Sequence, residues 1–452
     1  MGRRGLVWLF VGVACLLLLV QSGQVTSSDG NSSLQVTRSL VDHGSVTVPR
    51  NAGVPGADGT TVSKYGLGLP LLAAAPYAAS QVVAAVVGHD RELGSFAAAS
   101  LMPLICAGIA VAAYALGRRL GGSAGTAALV ALGTTLGTFL LAYSKEFFSE
   151  PLVCLCLLLC LLAVSAKRPA WAAAALGYAC LTRPQMLLLV PVFLVVIFVT
   201  DRRRVWQACA VLAGFVVLMC AYNLARYGDA FRFSYPGEDF SGDPLHATRE
   251  LFLDPDKSLL LFVPAVIFLP WSLVALWRRA RDVTVLMAAN LAIGFVTTIF
   301  WHDWGGGWAW EPRLLLPGII VALPSLAPWV RTAPWRTWAV AATFAVGFVV
   351  SFPALLVPTQ AQQLDAGLHT SPAIVRQYEL IEPTARYTAD HLTDQAQAGT
   401  GSHRKYLSLW QANAGALLGK GGLALAAIVS IGLAVLALFA LRRWRATLRD
   451  PN

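Results

Sequence analysis

Two carboxylates and two cations stand beside the ends of apolar runs in this chain: Asp29, Glu150, Lys64 and Arg313. An ionisable group at a membrane edge is costly and marks a functional site by default. Asp29, in Ser27-Ser28-Asp29-Gly30, reads either as a solvated acid in an Asx turn or as a general base at the water–lipid boundary. Lys64 and Tyr65 open Ser63-Lys64-Tyr65-Gly66-Leu67-Gly68-Leu69-Pro70. They either snorkel to headgroup depth or hold an anion that the flanking glycines let approach. Glu150 lies in Lys145-Glu146-Phe147-Phe148-Ser149-Glu150-Pro151, with Ser149 read as a helix N-cap and Glu150 as a second carboxylate facing the first. Arg38, in Thr37-Arg38-Ser39-Leu40, is a headgroup anchor or a phosphate ligand. The densest run is Trp301-His302-Asp303-Trp304-Gly305-Gly306-Gly307-Trp308-Ala309-Trp310-Glu311-Pro312-Arg313. Its tryptophans suit an interfacial belt, and its glycines and Arg313 suit a pocket wall. Nothing elsewhere complements His302 and Asp303 at metal-ligand spacing, so neither a metal nor another cofactor is expected.

The elements that must hold these groups follow from composition. Of 452 residues, 56% are hydrophobic and 13% charged, with a mean hydropathy of +0.62. A soluble chain is roughly half apolar and about a quarter charged. A soluble enzyme, a disulfide scaffold and a disordered chain are all excluded. The eight cysteines all fall in apolar runs, so no disulfide framework is expected. The net charge of +10 comes from clusters such as Arg118-Arg119, Lys167-Arg168, Arg202-Arg203-Arg204 and Arg442-Arg443. In a membrane protein these face the cytoplasm, and no nucleic-acid signature accompanies them.

Arg3-Arg4 before the first apolar run puts the amino terminus in the cytoplasm and the loop 21–65 outside. Segment 66–87, interrupted by Gly66, Gly68, Pro70 and Pro76, should lie along the surface or re-enter. If it crossed, Arg118-Arg119 and Lys167-Arg168 would face outward. Further spans are expected at 95–117, 122–143, 152–166, 170–181, 184–199, 205–222, 258–277, 283–301, 313–329, 337–357 and 418–441. This is an all-α polytopic membrane protein of about twelve transmembrane helices with external juxtamembrane helices. Residues 1–357 form the transmembrane core with a first external loop 21–94, 358–416 an external loop or small lobe, and 417–452 the last span and a basic tail.

From residue 1 to about 330 the chain resembles the integral-membrane glycosyltransferases of the C superfamily. It is most similar to the bacterial protein mannosyltransferase-like and lipid A aminoarabinose transferase-like branch, which uses polyprenyl-phosphate sugars. The likeness rests on Asp29, Arg38-Ser39-Leu40 with Gly44, Lys64 with Pro70, Glu150-Pro151, Thr182-Arg183-Pro184 and Tyr222-Asn223 with Gly228-Asp229. It continues through Asp254-Pro255-Asp256-Lys257-Ser258-Leu259 and Trp304-Gly305-Gly306 with Pro312-Arg313. Where that branch carries an Asp-Glu pair, this chain has Asp29-Gly30.

The resemblance implies inverting transfer of a sugar from a polyprenyl-phosphate donor at the external face of the plasma membrane. The acceptor would be a glycan, a lipid or a protein. Asp29 and Glu150 would be catalytic, and Lys64, Tyr65, Arg38 and Arg313 would bind the donor phosphate. Trp304, Gly305, Gly306 and Asp303 would line the acceptor side, with no metal and no nucleic acid. One rival is a transporter or flippase, which would show repeats and mid-membrane charges. The other is a non-catalytic homologue, left open by the single acid after the first helix.

Overall fold

The computed structural model describes residues 3–233, 235, 237–307, 309, 312–358, 373–390, 407 and 409–449. Within them the chain is helical apart from one short antiparallel pair, Val54–Pro55 (β1) on Thr61–Val62 (β2). Apolar runs become helices because hydrocarbon offers no partner to the backbone, which must bond within its own segment. Eight helical stretches are long and apolar enough to cross a membrane, and four shorter apolar helices accompany them.

The first external region is built from α1 (Arg3–Val20), α2 (Ser28–His43), α3 (Gly68–Val87), α4 (Asp90–Ala99) and α5 (Leu101–Arg119). α5 runs antiparallel to α1. At one end Gln21 donates to Ser100 Oγ (2.9 Å); towards the other, Trp8 packs on Phe439 and Tyr114 on Trp444. α3 is one of the eight by length and composition. Yet both its ends stay at the α1 C-terminal end of the bundle. Near its start, Gly68 O accepts from Tyr178 (2.8 Å) close to the C-terminus of the helix Pro169–Thr182. Farther along, Tyr77 donates to Asp42 (2.9 Å) and Gln81 to Asp90 O (3.4 Å). α4 returns beside the end of α1, where Ser95 Oγ accepts from Val25 N (2.8 Å).

The opposite end carries the basic turns. Arg331 donates to Gly121 O (3.1 Å) and Lys167 pairs with Asp282 (2.8 Å). A cysteine at Asp90 and one at Gly125, each in a chain freed of native cysteines, should therefore react with an impermeant maleimide from opposite sides. Labelling of both from one side would overturn this path for α3.

The remaining spans follow as α6 (Ala124–Leu136), α7 (Ser149–Ser165), α8 (Pro169–Thr182), α9 (Val190–Thr200) and α10 (Val205–Tyr227). α8 and α9 are separate, parted at Arg183, whose backbone is extended before Pro184. After α11 (Pro244–Leu253), the expected span 258–277 is broken by Pro264 into α12 (Leu259–Phe262), a short 3-10 turn and α13 (Leu269–Trp277). α14 (Arg281–Phe300), α15 (Leu316–Ala322), α16 (Leu326–Val330) and α17 (Pro334–Ser351) complete the bundle around buried Ile109, Leu158, Leu176 and Ile320.

Most of the expected lobe 358–416 lies outside the described residues. Its helices Ala373–Glu379 and Ile381–Asp390 are described, and the first is tied down by Arg376 to Asp256 (3.7 Å). The last helical element, Trp410–Arg449, starts ahead of the expected boundary at 417 and is interrupted at Gly419 (φ 63°, ψ −147°). Gln411 Nε2 lies 3.0 Å from Ser430 Oγ, whereas a straight helix would part them by about 28 Å. The element is a hairpin.

Candidate active site

Ser27 caps α2, its hydroxyl accepting from Gly30 N (3.1 Å), and this sets Asp29 in the first helical turn. A carboxylate there meets the positive end of the helix dipole. Glu150 holds the matching place in α7. Ser149 is not the cap expected of it: Phe148 precedes the helix, and Ser149 donates to Glu150 Oε2 (3.2 Å).

Both acids face Arg313, which opens the turn into α15. Its NH1 lies 2.8 Å from Asp29 Oδ2 and its Nε 3.8 Å from Glu150 Oε1, with the guanidinium 4.7 Å from the Phe148 ring centre. Arg183 NH1 comes within 3.3 Å of the same Glu150 oxygen. The Glu150 and Arg183 side chains are 1% and 6% exposed, so their charges are compensated almost wholly by one another and by Arg313.

Tyr65 donates its phenol to Asp29 and meets Tyr235 edge-to-face at 5.9 Å. Lys64 pairs with Glu238 and lies 5.4 and 5.9 Å from the ring centres of Tyr65 and Tyr235. Buried Arg226 fixes this stretch from beneath, donating to Ser63 O (2.6 Å), Tyr65 O (3.1 Å) and Asn223 Oδ1 (2.6 Å). Burial opposes ionisation of Asp29, but the Arg313 charge and the Tyr65, Arg313 and Ser28 hydrogen bonds outweigh it and hold the carboxyl below its usual range. Burial, with the Asp29 charge behind it, pushes the Tyr65 phenol far up, so Tyr65 remains a donor.

Asp29, Ser33, Tyr65, Phe147, Phe148, Ser149 and Arg183 enclose a cavity. Glu150 Oε1, Arg183 Nε and NH1, and Arg313 Nε are buried with no hydrogen bond among the described residues. A polar group of a ligand would complete them.

Three candidates, Arg38, Asp303 and Trp304, stand apart from the ion cluster. Arg38 donates to Arg91 O (3.1 Å) at an exposed site, about 13 Å along α2 from Asp29. Asp303 is exposed and leans towards Gly307, and Trp304 packs on His246 with ring centres 5.8 Å apart, so neither joins the ion cluster. Gly306 packs against Arg313, and Gly305 against Lys257. Gly305 O accepts from Lys257 (2.9 Å), and a Cβ at Gly306 (φ +74°) would stand 2.9 Å from Arg313 Cγ. Glu311 lies outside the described residues. Among the described residues, no three His, Cys, Asp or Glu side chains converge in a manner that would hold a metal.

Arg183, Arg226, Tyr235 and Glu238 join the site without having been singled out for it. The first two carried a signal, a charge at the end of an apolar run. Tyr235 and Glu238 sit in a polar loop with no pattern to distinguish them. Gly30 explains the departure from an Asp-Glu pair. A Cβ there would lie 2.7 Å from Phe147 O and from Ser27 Oγ, so α2 and the turn before α7 approach too closely for glutamate.

No known protein family matches the sequence, and no curated protein does. In shape the chain is similar to ArnT from Cupriavidus metallidurans in the apo state, with a TM-score of 0.51 at 17% identity, over 98% of this chain and 78% of that one. ArnT bound to undecaprenyl phosphate aligns at 0.47 and 17%, over 98% and 79%. The archaeal oligosaccharyltransferase AglB from Archaeoglobus fulgidus, in complex with an inhibitory peptide and a dolichol-phosphate, aligns at 0.47 and 11%, over 80% and 56%. The chain shares the polytopic helical fold of ArnT from Cupriavidus metallidurans.

Proposed function

We propose that this protein transfers a sugar from a polyprenyl-phosphate donor to an acceptor hydroxyl at the external face of the plasma membrane, with inversion. The observation that carries the reading is the desolvated group of Asp29, Arg313, Glu150 and Arg183, with Lys64 beside it, at the bundle end opposite the basic turns. The positive-inside rule makes that end external. Residues 1–357 then form the catalytic core, and the hairpin Trp410–Arg449 packs against α1.

The acceptor oxygen attacks the anomeric carbon as the bond from that carbon to the phosphate oxygen breaks. The electron pair leaves with the phosphate, and the hydroxyl proton passes to Asp29. Arg313 and Lys64 face the charge that develops on the phosphate, from either side of Tyr65. Three acids and three bases, Asp29, Glu150, Glu238, Arg183, Arg313 and Lys64, are mutually paired. An arriving phosphate must therefore take Arg313 from Asp29 and Lys64 from Glu238. Once Arg313 turns away, burial acts on Asp29 unopposed by that charge and makes it a stronger base.

Glu238→Gln removes the carboxylate that competes for Lys64. It should bind undecaprenyl phosphate several-fold more tightly than wild type by titration. Weaker binding would show that Glu238 orients Lys64 instead of competing for it. The reading itself is tested with purified protein in nanodiscs supplied with radiolabelled polyprenyl-phosphate sugars. Labelled acceptor and free polyprenyl phosphate are the expected products. Binding without transfer from any such donor would favour an inert homologue, and movement of intact lipid across the bilayer a flippase.

A further inference from the structure

We infer that Trp410, Gln411 and Asn413, in the short arm of the C-terminal hairpin, are positioning residues for Asp29; the inference rests on Asp29 acting as the base. A helix leaves its last carbonyls without intrahelical partners. At the end of α1 these are filled from the other end of the chain. Trp410 Nε1 donates to Leu18 O (3.0 Å), Gln411 Nε2 to Leu19 O (2.9 Å) and Trp410 N to Gln21 O (3.0 Å). Asn413 then grips the connection to α2, donating to Ser22 O (2.9 Å) and accepting from Gln24 Nε2 (2.5 Å).

Between these anchors Gly23 (φ +73°) passes under Trp410, where a Cβ would stand 2.8 Å from Trp410 Cβ. The opposite flank is held by Ser95 and Ser100, to which Val25 N and Gln21 donate. The connection is thus clamped on both sides up to Thr26, which donates to Glu146 (3.3 Å), and Ser27, the α2 cap. Asp29 follows within one helical turn. The arm is itself braced, folded back at Gly419 and bonded from Gln411 to Ser430. Asn413 is buried, and Trp410 lies edge-on to Phe96 of α4 at 6.0 Å. A base must be held within about 0.5 Å of its productive place. A free connection between two helices would not meet that demand, and the hairpin supplies the constraint.

The full-length protein carries the test, through Asn413→Ala and Trp410→Phe; the second keeps an aromatic ring beside Phe96 and removes the indole N–H together with the second ring. Three measurements are compared: hydrogen exchange of the peptide spanning residues 21–30, undecaprenyl phosphate binding, and turnover. Asn413→Ala should speed exchange across 21–30 and lower kcat by roughly 10- to 100-fold, as small misplacements of reacting groups do. Phosphate binding should stay near the wild-type value. Trp410→Phe should move the same way by less. In an Asp29→Asn background Asn413→Ala should cost nothing more, because it acts through that carboxylate. Unchanged exchange and turnover would overturn the inference. Loss of phosphate binding in step with activity, or a full further loss in the Asp29→Asn background, would do the same. If Asp29→Asn alone retains turnover, the base assignment fails and the positioning of Asp29 loses its catalytic meaning.

Discussion

Turnover by Asp29→Asn should fall about 10²–10⁴-fold, the usual cost of losing a general base, while undecaprenyl phosphate should bind at least as tightly as to wild type. Asparagine keeps the shape of the side chain and can still accept from Tyr65, so the first turn of α2 is preserved. It no longer pairs ionically with Arg313, which removes a competitor of the incoming phosphate. The wild-type pH profile carries a related signature. With Arg313 beside it, Asp29 sits below the usual carboxylate range; it stays ionised at neutral pH and is protonated only as the pH falls through that lowered value. The profile of kcat/KM reports the free enzyme and that of kcat the complex. The acid limb of kcat should thus lie at higher pH than that of kcat/KM, because bound phosphate has drawn Arg313 away. Coincident limbs would mean that the ion pair persists in the complex. Should Asp29→Asn retain turnover while Glu150→Gln is dead, Glu150 is the base.

Arg313→Met should weaken undecaprenyl phosphate binding by about 10- to 100-fold, since a hydrogen bond to a charged group contributes about 1.5–3 kcal/mol. It should also lower Tm, because Asp29 and Glu150 share this guanidinium. Glu150 keeps Arg183, so the chain still folds. Adding Asp29→Asn to Arg313→Met removes the carboxylate left without its guanidinium and should restore Tm without restoring binding. Lysine at 313 should recover part of the binding only, as one ammonium cannot reach both carboxylates in the planar geometry of arginine. Wild-type binding by Arg313→Met would remove this residue from the donor site.

The spans and the groups at their ends were legible because hydrophobicity and the cost of a membrane-edge charge act locally. Asp29, Glu150 and Arg313 were all found by that rule, and all three meet. Their pairing was not legible, for it depends on which helix ends the bundle brings together. Arg38, which the resemblance places at the donor phosphate, stands farther along α2 from Asp29 and donates to Arg91 O. Gly30 looked like a lost acid and is instead where α2 packs tightly against the turn before α7. Glu238 lies in a polar loop where any acid looks solvated; only the fold reveals its partner, Lys64.

The hairpin that closes over the end of α1 also bears on biosynthesis. α1 leaves the ribosome long before the residues that saturate its final carbonyls. A nascent chain carrying α1 to α17 holds every acid and base of the cluster and still lacks the clasp that fixes the first of them. Such long-range closure is slow, since a long loop must be ordered before its contacts form. Maturation of the cluster therefore waits for the C-terminal hairpin to insert, and a chain halted before it would gather the charged groups yet leave Asp29 unclamped.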